Sequence, residues 1–121
     1  MLSDTITLND ASSAAKTFTK TSQSGNESTR FDTSSTLGEP RLMVVRHQAV
    51  GKGSTTADRH NFAFSKRKND SNGVPQTVSL SVVVTVPRDT SVASEVPDLV
   101  AFAENFLATS GVVTALLRGE S

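Results

Sequence analysis

Residues 77–87 read TVSLSVVVTVP, and no other stretch restricts the fold as tightly. In an extended chain successive side chains point to opposite faces. Val78, Leu80, Val82, Val84 and Val86 therefore share one face, and Thr77, Ser79, Ser81, Val83 and Thr85 the other. β-Branched side chains suit this pleated, half-buried setting. A strand lying on a one-sided core ordinarily turns charge to the water. Here the second row holds small hydroxyls and a valine, so that face has another task.

The same alternation recurs upstream. DTITL (4–8) and AKTFTKT (15–21) flank NDASSA and predict an N-terminal hairpin. QSGNE breaks the chain, STRFDTS (28–34) is a short, weakly apolar strand, and TLGEP (36–40) closes it with glycine and proline. RLMVVRHQAV (41–50) is apolar on both faces in its middle, and GKGSTTAD follows as a flexible turn. RHNFAFSKRK (59–68) places His60, Phe62 and Phe64 on one face and Arg59, Asn61, Ala63 and Ser65 on the other. NDSNGVPQ (69–76) loops into the final strand. Strands in series with short links predict an antiparallel meander.

After Pro87 the period changes. Leu99, Val100, Phe102, Ala103, Phe106 and Leu107 recur at helical spacing, with Ser94 as the expected N-cap and Pro97 in the first turn. Gly111 interrupts, and VVTALLRG (112–119) predicts a second short helix ending at a glycine. The fold class is α+β: one domain over 1–121, made of a hairpin (1–22), an antiparallel sheet (27–88) and two C-terminal helices (93–119). Two short helices cannot cover so wide a sheet. The apolar surface left over predicts an obligate homodimer, with one sheet face open.

The composition narrows the functions. With no cysteine there is neither a disulfide framework nor thiolate chemistry, and two histidines make a sparse metal set, so no metal or cofactor is expected. His60 beside Asp58, and His47 beside Arg46, read as half-buried histidines rather than catalytic bases. GKGS (51–54) lacks the upstream glycine spacing of a phosphate loop and reads as a mobile turn. No nucleophile, base and orienting group assemble, so an enzyme is not expected. The N-terminus has no basic flank or apolar segment, and no run is long enough to span a bilayer; a soluble protein made in a cytoplasm is the expectation. Net charge is zero but unevenly spread. Residues 41–68 carry Arg41, Arg46, Lys52, Arg59, Lys66, Arg67 and Lys68 against Asp58, whereas 89–121 is acidic; the basic segment is a candidate polyanion surface.

VVRHQ (44–48), DRHNFAFS (58–65) and TVSLSVVVTVP followed by two helices resemble, in order and spacing, the coat proteins of the small single-stranded RNA bacteriophages, the leviviruses. The resemblance implies helices that interlock with those of a second chain, a sheet continued across the dimer, and dimers closing into an icosahedral shell whose sheet lines the interior. It implies binding of genomic RNA, including a stem-loop operator whose occupation represses replicase translation. It places Arg46 on RNA phosphate, with Arg59, Asn61, Ser79 and Ser81 as further RNA-binding residues on the same face, beside Ala63 and Val83. Leu42, Val44, Ala63 and Val83 stand where relatives carry polar side chains, which weakens the expectation of specific base pockets. The loop 68–76 would lie around the shell's symmetry axes, where Asn72, Gly73 and Pro75 suit a hinge. The implied location is the virion, assembled in a bacterial cytoplasm, with no membrane partner. The rival from another class is a non-viral dimeric RNA-binding regulatory module.

Overall fold

The computed structural model describes residues 2–121. Six strands pair in chain order: β1 (Thr5–Asn9), β2 (Ala15–Ser24), β3 (Glu27–Asp32), β4 (Arg41–Val50), β5 (Ala57–Asn69) and β6 (Pro75–Pro87). A single 3-10 turn, Gly53–Thr55, lies between β4 and β5. Three helices follow: α1 (Thr90–Ala93), α2 (Val96–Ala108) and α3 (Val112–Leu117). The antiparallel meander is present as expected. The chain divides into two compact units, one ending at Thr85 and the other spanning Val86–Ser121.

Two turns set the register with the same device. Asp10 donates its N–H to the Ala14 carbonyl, and its Oδ1 accepts from the N–H groups of Ser12 and Ala14 at 2.8 and 3.0 Å. Asp70 repeats this with Val74, Asn72 and Val74 at 2.8, 2.8 and 2.9 Å. In each, the residue three along has positive φ: Ser13 at 63° and Gly73 at 79°. The aspartate thus satisfies backbone donors that the tight turn would leave bare. The amides of Ala14 and Ser12 hold the Asp10 carboxyl below its ordinary range, and those of Val74 and Asn72, with the Gln76 side chain, do the same for Asp70. The carboxylate of Asp70 is therefore engaged by its own turn.

Turn chemistry also explains where the strand boundaries moved. The QSGNE break is mostly strand, because only Gly25 and Asn26 separate β2 from β3. The 69–76 loop shrinks similarly, with β5 reaching Asn69 and β6 starting at Pro75.

The core of the sheet unit is small. Phe18, Met43 and Val45 are buried together, with Ile6 and Phe64 packed against them, and the Phe18 and Phe64 rings meet edge to face at 5.8 Å. Register accounts for the cluster: Ile6 lies opposite Phe18, and Met43 opposite Phe64. Two charged residues are buried on the same side, Arg30 and Asp32. Arg30 donates to the Ser3 carbonyl and to Ser28 Oγ. Asp32 accepts from the Ser34 N–H and hydroxyl and from Arg41 Nη1 at 2.7 Å. Burial opposes ionisation of Asp32, yet those donors hold its carboxyl below the ordinary range.

In the helical unit Asp89, not Ser94, is the first N-cap: its side chain accepts from the Ser91 and Val92 amides. Ser94 instead ends α1. A short α1 wins because an aspartate directly after the strand can cap, whereas Ser94 has helical backbone and its hydroxyl donates back to the Ser91 carbonyl. Pro97 falls in the first turn of α2, where no intrahelical N–H is needed. α3 ends at Gly119, φ 77°, with Glu120 N–H on the Ala115 carbonyl and Gly119 N–H on Leu116, a Schellman closure. No residue of α1, α2 or α3 is buried.

Candidate nucleic-acid interface

The face of the sheet opposite the core is built in cross-strand rows. One row runs Glu27, Arg46, Asn61 over β3, β4 and β5. It extends to β6 by hydrogen bonds from Asn61 Nδ2 to Ser81 Oγ at 2.8 Å and to the Val82 carbonyl at 3.1 Å. On one side of it Gln48 lies opposite Arg59. On the other come Thr29, Val44 and Ala63, and then Phe31, Leu42 and Ser65. Ser79 shares the face of Ser81 by the two-residue period of the strand. The five residues singled out in the sequence, Arg46, Arg59, Asn61, Ser79 and Ser81, thus lie on one face of three adjacent strands.

The geometry adds two residues that sequence reasoning missed. Glu27 Oε2 lies 2.8 Å from Arg46 Nε, and both side chains are about half exposed. Water screens such a pair, so it orients the guanidinium more than it stabilises the fold. Glu27 is nineteen positions from Arg46, and the β3–β4 connection over residues 33–40 brings them level. Phe31 is the other: half-buried between Thr19 and Leu42, it puts an aromatic ring on this face, whereas Phe62 and Phe64 belong to the core side. Its parity was hidden in the weakly patterned STRFDTS.

The basic middle of the chain does not form one surface. Arg46, Arg59 and Arg67 have the parity of the open face. Arg41 turns to the core side and pairs with Asp32. Lys66 donates to the Glu39 carbonyl and, with Lys68 and Val78, borders a shallow core-side depression. Strand alternation splits a charge run that composition counts as one.

The two histidines also differ from expectation. Both are exposed rather than half-buried, and β4–β5 pairing sets them opposite each other with their Nδ1 atoms 2.9 Å apart. GKGS closes as a 3-10 turn in which Gly51, φ 85°, is required because a Cβ would come within 2.7 Å of the Thr55 carbonyl oxygen. Among the described residues no three potential metal ligands cluster, and no helix is long and apolar enough to cross a membrane.

No protein-family model matches the sequence, and no curated protein matches it. The solved structures do. The chain superposes on the virus-like particle of Beihai levi-like virus 21 with a TM-score of 0.76 at 11% identity, covering 100% of this chain and 98% of that one. It matches the virus-like particle of bacteriophage GQ-907 with a TM-score of 0.73 at 16% identity, covering 100% and 92%. The coat protein of bacteriophage EMS014 follows at 0.68 and 18%, covering 92% and 80%. At such identities the likeness establishes a shared fold over essentially the whole chain.

Proposed function

We propose that the chain is the coat protein of a single-stranded RNA bacteriophage, a structural protein and not an enzyme, which assembles through dimers into an icosahedral virion shell. The full-length likeness to levi-like coat proteins carries this reading. Uncovered apolar surface supports the dimer. On α2, Leu99 is 63% and Phe102 67% exposed, and on the core side of β6 Val78 is 73% exposed. A second copy whose helices interlock with these would bury surface that a soluble monomer leaves wet at a cost of roughly 25 cal/mol per Å².

The open sheet face binds genomic RNA in this reading. Arg46 and Arg59 contact phosphate, which makes binding salt-dependent. Asn61 has a different role: its Nδ2 donates to Ser81 and Val82, so the amide offers its carbonyl oxygen, an acceptor for a base amino group or a ribose 2′-hydroxyl. Ser81, accepting from Asn61, retains its own hydroxyl proton to donate, and the small Ser79 beside it leaves room for an RNA strand. Phe31 supplies an apolar ring on which an unpaired base stacks. Binding of a stem-loop operator, with repression of replicase translation, belongs to the same face.

Expression of the chain followed by electron microscopy tests the proposal. Uniform spherical particles containing RNA are expected. A species that never exceeds about 26 kDa at any concentration, about twice one subunit, overturns it and leaves the non-viral dimeric RNA-binding module.

A further inference from the structure

We propose that His47 and His60 form a two-histidine site for a divalent transition metal with tetragonal preference, cupric ion above all. The site is independent of the RNA-binding face, since both imidazoles are on the core side of the sheet. β4–β5 register places the two residues directly opposite each other, with ring centroids 5.1 Å apart and planes at 69°. Their Nδ1 atoms approach to 2.9 Å. In the metal-free protein that contact requires one Nδ1 to carry a proton and the other to accept it. A metal ion would take the place of that proton, which is released, and accept one lone pair from each Nδ1.

The spacing is that of an ordinary hydrogen bond and also suits a chelated ion. Two imidazole nitrogens at roughly 2.0–2.1 Å from an ion and at a right angle to each other are about 2.9 Å apart, whereas a tetrahedral angle spreads them to about 3.4 Å. The observed separation fits cis positions of a square-planar or tetragonal ion, the preference of Cu²⁺ and Ni²⁺, better than Zn²⁺. Water completes the coordination, because both side chains are exposed.

Charge around the pair is mixed, since Lys20 and Arg30 line a pocket together with His47. Next along the same face are Val45 and Phe62, an apolar cross-strand pair, and on the other side Ala49 opposite Asp58, which contributes negative charge. Arg46 and Arg59, the sequence neighbours of the two histidines, point to the opposite face. The backbone is held in place, since His47 N–H donates to the Asn26 carbonyl at 3.0 Å.

Copper titration of the purified protein, followed by calorimetry and by the visible d–d band, tests the site. One Cu²⁺ per chain is expected, with Zn²⁺ binding more weakly. His47→Ala and His60→Ala should each weaken Cu²⁺ at least about tenfold, a loss of the size already seen when only a supporting ligand partner is removed. Both side chains are surface groups, so circular dichroism should report unchanged folding. Cu²⁺ binding of wild-type strength in either variant overturns the proposal, as does a Zn²⁺ affinity equal to that for Cu²⁺. Neither result bears on particle formation, so the coat reading is judged separately.

Discussion

The unit ending at Thr85 and the unit Val86–Ser121 are both amphipathic, yet only the first buries anything. In the sheet unit Phe18, Met43 and Val45 close a core and Asp32 is fully enclosed by Ser34 and Arg41. In the helical unit every apolar side chain of α2 beyond Val96 is exposed. Propensity, the Asp89 cap and the Gly119 closure define these helices, but local terms alone leave short helices marginal in water. The sheet unit therefore owes its stability to the chain itself, and the helical unit to whatever covers it.

Breaking the core should have the largest effect. Phe18→Ala is expected to cost roughly 3–5 kcal/mol, read as a lower urea midpoint whether or not the protein is assembled. Phe102→Ala should leave the unassembled chain within about 0.5 kcal/mol, as for any exposed substitution, while cutting dimer and particle yield severely. Equal destabilisation by the two would erase the contrast between the units.

Asp32 sharpens the comparison next. Replacing it by Ala should cost about 3 kcal/mol, toward the low end for a broken buried pair because Arg41 is partly solvated. The sign of its pH dependence follows from its lowered carboxyl pKa: its contribution is present above the ordinary value of 3.8 and lost as pH falls through the lower folded value. The stability gap between wild type and Asp32→Asn should accordingly narrow only below about pH 4. A gap constant down to pH 2 would contradict the assignment.

On the open face, Arg46→Ala with Arg59→Ala should lower packaged RNA, read from the ultraviolet absorbance ratio of purified particles, with dimers intact. Glu27→Gln should do the reverse, because it frees Arg46 of a competing carboxylate, and should steepen the dependence of RNA binding on salt. The smallest effect belongs to the first hairpin. Ser13 occupies the conformation that Gly73 fills in the matching turn, so Ser13→Gly should stabilise by about 1 kcal/mol, and an unchanged thermal midpoint would remove that equivalence.

Much of this was legible in the sequence. Alternation located β4 and β6 almost to the residue, and the helical repeat with Pro97 and Gly119 located α2 and α3. The first helix cap was not, because Asp89 and Ser94 are both good caps and only the strand's end decides between them. The parity of Arg59, Asn61, Ser79 and Ser81 was fixed by the two-residue period, since it needs no partner strand.

Register needs a partner, and that is what tertiary structure decided. The sequence by itself determined which residues share a face within each strand, the order of the elements and the shortage of burial. Only the pairing of β3, β4 and β5 set Glu27 against Arg46 and His47 against His60, and split the basic segment between two faces. The physical reason is range: periodicity is a property of one strand, whereas cross-strand neighbours depend on how many residues each turn spends, and a change of one residue there would put every partner on the other side of the sheet.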